Sequence, residues 1–451
     1  MNKIENPMKV KPIFPLLISM SVPTMISMLI QSMYNIVDSI FVSKISENAL
    51  TAVSLVFPLQ NIVSAVAIGF GVGINSCMAR SLGAMNNEDV NKAATHGMVL
   101  TLIHVLIFVV AGLFLVDPFL RIFTNDEEIL RYGHQYATVV ICFSFGLLFQ
   151  LSMEKMFQAV GNMIIPMMMQ ALGCIINIIL CPIMIFGKFG FPALGVLGSA
   201  ISTITGQITV FIIYIFIFRK KNYDIKMNFK NFRFDKSTVR KLYAVGLPSS
   251  IMLSMPSILI SVLNGILASI SDVSVAVLGI YYKLQTFVYM PTNGLIQGMR
   301  PIISYNYGAK QRDRVLNTIK ISIMLTSIIM IIGTCISVFF PEKVLMMFNA
   351  HDNMMSMGST ALRIISIGFI ISSGSVILSG TFEALGDGKL SLIISLVRQF
   401  IIIIPLALIL SRVLGVNGVW VSFPISEIAA SIVSLILFRK YEKLFYYLEH
   451  E

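Results

Sequence analysis

Residues 157–162 read Phe-Gln-Ala-Val-Gly-Asn, and 225 positions further on residues 382–387 read Phe-Glu-Ala-Leu-Gly-Asp. The same offset pairs Ser21-Val22-Pro23 with Gly246-Leu247-Pro248 and Leu59-Gln60 with Leu284-Gln285. It also lays Gly69 and Gly73 on Gly294 and Gly298, and Gly83-Ala84 on Gly308-Ala309. Toward the end of each half the offset becomes 220: Leu194-Gly195-Val196 falls on Leu414-Gly415-Val416, and Phe218-Arg219-Lys220 on Phe438-Arg439-Lys440. Chance matches do not hold one register from Pro23 to Asn162, so the chain is an internal duplication.

The solvent of that duplication follows from composition. Of 451 residues, 56% are hydrophobic and 12% charged, with a mean hydropathy of +0.84. A soluble domain carries about 25% charged residues, so soluble enzymes, secreted scaffolds and disordered chains are excluded. A span needs about 20 apolar residues, and twelve such runs follow one another from 13–43 to 416–438, six in each half. The first run has no small-residue cleavage site and reads as a retained span rather than a signal peptide. The expected fold is an all-α polytopic membrane protein with twelve transmembrane helices in two six-helix lobes. Its parts are a tail over 1–12, an N-lobe over 13–218, a linker over 219–241, a C-lobe over 242–438 and a second tail over 439–451. Six spans per half bring both halves in from the same side, so the lobes are related by an axis along the membrane normal. In such folds the shared face holds a substrate.

Charge and reactive side chains narrow the class. The net charge of +11 is spread in short basic runs between apolar stretches, the densest running from Arg219 to Lys241, so it does not form a nucleic-acid face. The loop with Asp117, Asp126, Glu127 and Glu128 is acidic. By the positive-inside rule both termini and the linker face the cytoplasm of a plasma (inner) membrane. Cys77, Cys142, Cys174, Cys181 and Cys335 all lie in apolar segments without ligand spacing, and His96, His104, His134, His351 and His450 include no i,i+4 pair. Neither disulfides nor a metal centre is expected, and no cofactor.

The motifs VDSIFVS (37–43), SLGAMN (81–86), FQAVGN (157–162), NIILCPIMIFG (177–187) and PIISYNYGAKQ (301–311) resemble, in order and across about 12–440, the multidrug and toxic compound extrusion (MATE) transporters of bacteria and archaea. The resemblance implies two lobes around a V-shaped central cleft and alternating access. It also implies export of cationic or amphipathic drugs and dyes by a single chain, driven by a proton or sodium gradient. The family's first-helix acid falls on Asp38 and its fifth-helix Asn on Asn177. Four residues on, where many members carry a second Asp, stands Cys181. The sixth-helix hydroxyl falls on Ser199 or Thr203. A seventh-helix Glu present in some members is replaced by Pro256.

Asp38 lies five residues from the outer end of its span, about 7–8 Å deep at 1.5 Å per residue. A carboxylate there costs a few kcal/mol and is functional by default; the bland alternative is a helix-end acid facing water. Cys181 favours protons, because sodium is a hard cation that wants several oxygens whereas a thiol is soft. Sodium stays open through Asp38, Asn177 and backbone carbonyls. In the second half, Arg398 and Glu427 read either as a structural ion pair or as a substrate contact. Lys283, near Gln285, Tyr289 and Asn293, pairs with an acid, meets anionic cargo or snorkels. Gln31, Met33, Tyr34, Met153 and Met156 are the further cleft candidates, Met being suited to soft pockets. The carboxylates expected within spans are Asp38 and Glu427, with Glu383 at a helix end, and the expected bases are Lys283 and Arg398. Gly69/Gly73 and Gly294/Gly298 read as close-packing pairs.

Other classes fit less well. A major-facilitator permease would show a Gly-x-x-x-Asp-Arg-x-Gly-Arg loop where this chain has ARSLGAMNNEDVNKA. A lipid-linked oligosaccharide flippase would need a more cationic cavity for diphosphate. A membrane enzyme would need convergent His, Asp, Glu or Ser groups within the spans.

Overall fold

The computed structural model describes residues 6–220, 225–230, 232–348, 350 and 352–449; His351, His450, the start of the amino-terminal tail and residues 221–224 and 231 of the linker lie outside the described residues. Among the described residues there is no strand. The long helices are α1 (Ile13–Ser43), α2 (Glu47–Gly83), α3 (Asn87–Phe114), α4 (Glu127–Cys142 with Phe145–Ala159), α5 (Ile164–Phe186) and α6 (Val196–Lys220). They are followed by α7 (Lys236–Ala268), α8 (Asp272–Gly308), α9 (Arg312–Phe339), α10 (Asp352–Leu385), α11 (Gly388–Leu396, Val397–Ile402, Ile403–Leu414) and α12 (Val416–Glu449). Among the described residues eleven are long and apolar enough to cross a membrane, and the count reaches twelve if the two parts of α4, bent by 42° at the break, are one span. The chain is a multi-pass helical membrane protein.

The duplication is written into the backbone. Left-handed residues occur at Met85 and Lys310, at Gly161 and Gly386, and at Gly195 and Gly415, which are pairs at the 225 and 220 offsets. Ser46 and Ser271 precede α2 and α8 as their N-caps, and short helices Val116–Phe123 and Pro341–Met346 precede α4 and α10. In FQAVGN and FEALGD the amides of Asn162 and Asp387 donate to the carbonyls of Phe157 and Phe382, closing the same turn.

The chain divides into two compact units, one of Ile26–Ser250 and one of Met1–Met25 with Ile251–Glu451. The boundaries differ from the expected lobes of 13–218 and 242–438, because the first halves of α1 and α7 are exchanged. In the first unit a Cβ on Gly69 or Gly73 would fall 2.3 Å from the Ser250 nitrogen or the Leu242 oxygen. In the second, Gly294 and Gly298 face the backbones of Met25 and Ser21 in the same manner, and Thr24 Oγ1 donates to the Gly294 carbonyl at 2.7 Å. Glycine pairs one turn apart let backbones touch, and here they seat α7 on α2 and α1 on α8.

Each unit has its own core. In Ile26–Ser250, Phe70, Ile74, Phe157 and Tyr214 pack with Met153 and Met156. Those two methionines are 1% and 0% exposed, which corrects their placement at a cleft surface: the second half of α4 is wedged between α2 and α6 and turns them inward. In the other unit Leu263, Tyr281, Phe369 and Trp420 form the centre. The end of the linker docks on α3. The Asp235 amide donates to His96 Nε2 at 2.9 Å, and His96 Nδ1 lies 2.9 Å from the Lys92 carbonyl. An accepting Nε2 assigns the proton to Nδ1, so His96 is the neutral tautomer. Alongside it the amides of Lys226 and Asn228 donate to Asn91 Oδ1 and Thr95 Oγ1.

Candidate functional site

Three helices of the Ile26–Ser250 unit each contribute polar side chains four residues apart, which stacks them one turn above one another on one face. In one layer Asp38 Oδ1 accepts from Ser199 Oγ at 2.9 Å and from Cys181 Sγ at 3.5 Å. In the next, about 6 Å along, the Tyr34 and Thr203 hydroxyls are 2.9 Å apart and Asn177 Nδ2 donates to Thr203 Oγ1 at 3.2 Å. Ser202 joins the layers: it receives Asn177 Nδ2 at 3.4 Å and donates to the Ser199 carbonyl at 2.9 Å.

The register of this cradle is set by the α5–α6 turn. Gly187 ends α5 in the left-handed conformation, and the amides of Leu194 and Gly195 return to the carbonyls of Met184 and Ile185. Gly198 then lies against Met184, where a Cβ would be 2.5 Å from its carbonyl oxygen, and this contact brings Ser199 level with Cys181. Pro182 has no N–H to offer the carbonyl of Ile178, which adds backbone oxygen beside the cluster.

Cys181 and Ser199 are fully buried, Asn177 is 1% exposed and Thr203 6%, while Asp38 is partly open. Among the described residues no Lys, Arg or His forms an ion pair with Asp38; its partners are a neutral hydroxyl and a neutral thiol. Asn177 Oδ1 is buried without a hydrogen-bond partner. An acid in such a cradle can take up a proton or a small cation without first displacing an internal one. The first-helix acid and the four residues expected around it are thus in one cluster. Tyr34, expected at a cleft, belongs to the same cluster through Thr203. Ser202 was missed, although its place between Ser199 and Thr203 on α6 is a usable signal. Gln31 and Met33 are exposed on α1.

In the other unit, Arg398 Nε stands 3.1 Å from Glu427 Oε2 and Arg398 Nη2 donates to Ser375 Oγ at 2.7 Å. The Tyr289 and Ser372 hydroxyls are 2.7 Å apart. Lys283 lies over the Phe348 ring at 5.5 Å, a cation–π contact, and Asn293 is exposed while Gln285 is half-buried.

Two charged sets within the helices add Glu154, Lys155 and Arg300 to the acids and bases expected from the sequence, which had named Glu383 alone among them. Lys155 is buried on α4 with Nζ 3.1 Å from Glu154 and 3.0 Å from Gln158 Oε1, and Asn75 Nδ2 donates to the Lys155 carbonyl. Arg300 on α8 pairs with Glu383 on α10. At the 225 offset Asn75 corresponds to Arg300 and Gln158 to Glu383, so the repeat motif itself marked both positions. His104, with no visible partner in the sequence, has Nε2 2.8 Å from the Tyr243 hydroxyl. Among the described residues no group of three His, Cys, Asp or Glu could hold a metal ion.

Comparison with known proteins agrees with this architecture. The chain is 26% identical to the multidrug export protein MepA of Staphylococcus haemolyticus, over 94% of this chain and 93% of that protein. It is 26% identical to the probable multidrug resistance protein YoeA of Bacillus subtilis (93% and 91% covered) and 24% identical to the FAD transporter of Shewanella oneidensis (95% and 95%). A crystal structure of MATE in the bent conformation superposes with a TM-score of 0.91 at 25% identity, covering 97% of each chain. An outward-facing multidrug resistance MATE transporter of the MOP superfamily gives 0.88 at 24%, covering 95% and 96%. The MatE family model matches residues 23–183 and 248–409, one match in each repeat, and the chain therefore belongs to the MatE family of membrane transporters.

Proposed function

We propose that this transporter is a multidrug exporter that works by alternating access as an antiporter, exchanging cationic or amphipathic compounds for protons that enter through Asp38. The names of the Staphylococcus and Bacillus relatives support the cargo class. The observation that carries the coupling is the cradle around Asp38: a partly open intramembrane acid, held only by neutral donors, with the unpartnered Asn177 oxygen one turn away. Cys181 beside it supports protons over sodium, since a soft thiol replaces what would be a hard oxygen ligand. The same reading places the protein in the plasma membrane with both termini cytoplasmic, acting as a monomer and without a cofactor. Membership of the MatE family leaves the major-facilitator alternative without support.

The test is ethidium efflux from cells expressing this chain or Asp38→Asn at matched levels, with proton and sodium gradients clamped separately. Efflux that needs the proton gradient alone and is lost in Asp38→Asn is expected. Efflux that persists in the variant removes Asp38 from the coupling path, and a requirement for sodium at constant proton gradient refutes the choice of ion.

A further inference from the structure

The Arg398–Glu427 pair is not built like a structural salt bridge. Arginine and carboxylate pair best through two parallel, aligned hydrogen bonds. Here Arg398 Nε approaches Glu427 Oε2 to 3.1 Å, yet the N–H is not directed at the oxygen, and neither atom has a hydrogen-bond partner among the described residues. The guanidinium is anchored sideways, through Nη2 on Ser375, and the neighbouring Gln399 Oε1 is buried without a partner too. The two charged side chains remain 18% and 12% exposed, so the pair is not sealed in the core.

The helix carrying Arg398 is irregular at that point. Val397–Ile402 form a π turn between two α-helical stretches, and none of its six residues is buried. Pro405 has no N–H for the carbonyl of Ile401 and its ring crowds that oxygen, which accounts for the widened turn. π turns concentrate at functional sites, and a return to α register would swing the side chains about 100° around the axis. Arg398 Nε therefore meets Glu427 Oε2 by charge rather than by a directed bond, on a π turn set between two α-helical stretches.

From this we infer that Glu427 is a binding site for the ammonium group of an organic cation, and that Arg398 is a tethered stand-in that occupies the carboxylate when no cargo is present. The inference rests on the cation-export reading and adds the residue that receives the charge. Exchange of guanidinium for ammonium keeps the carboxylate paired throughout, while the released guanidinium stays hydrogen-bonded to Ser375 and partly exposed. A structural salt bridge predicts that loss of Arg398 weakens whatever the unit does. A stand-in predicts that loss of Arg398 strengthens cation binding.

The experiment is dye binding to the purified full-length protein in detergent at pH 8, by fluorescence anisotropy, with ethidium as the cation and Nile red as a neutral amphipathic control. Removing a partly exposed competing charge is worth up to about 1 kcal/mol, so Arg398→Gln should bind ethidium up to about fivefold tighter. Ser375→Ala, which only frees the anchor, should move binding in the same direction by less. Glu427→Gln should weaken ethidium by about tenfold or more, the scale of a lost charge pair at a binding site, while Nile red stays within about twofold in all three. Unchanged or weaker ethidium binding in both Arg398→Gln and Ser375→Ala overturns the inference. Should Arg398→Gln aggregate, Ser375→Ala decides, since it leaves both charges in place. A wild-type protein that binds Nile red but not ethidium refutes cation export itself, a distinguishable failure.

Discussion

A single methyl group tests the packing that seats α7 on α2. In Gly73→Ala the new Cβ would stand 2.3 Å from the Leu242 carbonyl oxygen and 3.1 and 3.2 Å from the Gly246 nitrogen and Cα. All three are backbone atoms, so no rotamer change relieves the contact; the first half of α7 must retreat by about 1 Å to reach ordinary van der Waals separation. Overpacking of this kind costs about 1–3 kcal/mol. Alanine recovers part of it, because glycine inside a helix is worse by about 0.5–1 kcal/mol. The expected net loss is about 1–2 kcal/mol. Gly279→Ala on α8 is the control: nothing lies within 4 Å of its would-be Cβ, so it keeps the helix gain without the clash and should stabilise by up to about 1 kcal/mol. Gly298→Ala, 2.8 Å from the Ser21 backbone, should behave like Gly73→Ala. The assay is thermal unfolding of the purified variants followed by circular dichroism at 222 nm. Gly73→Ala melting at or above the wild type, or Gly279→Ala falling with it, would refute the reasoning.

Two further outcomes follow from named contacts. Cys181→Asp would put a second carboxylate beside Asp38, where two like charges cannot both stay ionised without a cation. Sodium chloride, compared with choline chloride, should then raise the melting temperature of the variant and not of the wild type. The gain is about 1.4 kcal/mol when sodium stands at ten times its dissociation constant, and an equal response in both proteins counts against the assignment of Cys181. At the linker, Asp235 accepts the amides of Ser237 and Thr238 and the Thr238 hydroxyl, and these bonds, the hydroxyl's foremost, hold its carboxyl below the usual range. A depressed carboxyl contributes stability above its unfolded pKa, about 3.9, and loses it as the pH falls through the folded value. Asp235→Ala should therefore melt earlier than the wild type at pH 7, with a gap that closes in acid; a gap that widens as the pH falls would contradict the cap.

The class, the apolar spans and the duplication were all legible in the amino-acid sequence, because each is a property of the chain in one dimension. Twenty-residue apolar runs are dictated by bilayer thickness, and a repeat at a constant offset needs no knowledge of folding; Met85 with Lys310 and Gly161 with Gly386 show the backbone repeating it. The polar set of Asp38, Asn177, Cys181, Ser199 and Thr203 was legible through the family resemblance, which left the sixth-helix hydroxyl open between Ser199 and Thr203. Ser202 and Tyr34 became part of it only when three helices met.

What tertiary structure alone decided is which faces meet. The buried Lys155 and the pairing of Arg300 with Glu383 were hidden inside apolar runs, since a composition window averages out a single charge and says nothing of its partner. Met153 and Met156 could have faced a cleft or a core, and only the wedging of α4 turned them inward. The unit boundaries are the clearest case. A linker at 219–241 reads as the natural division, yet backbone contact at Gly73 and Gly298 binds the first halves of α7 and α1 to the opposite repeat. Helix contact depends on surfaces far apart in the chain, whereas span length and repeat register depend only on neighbours in sequence.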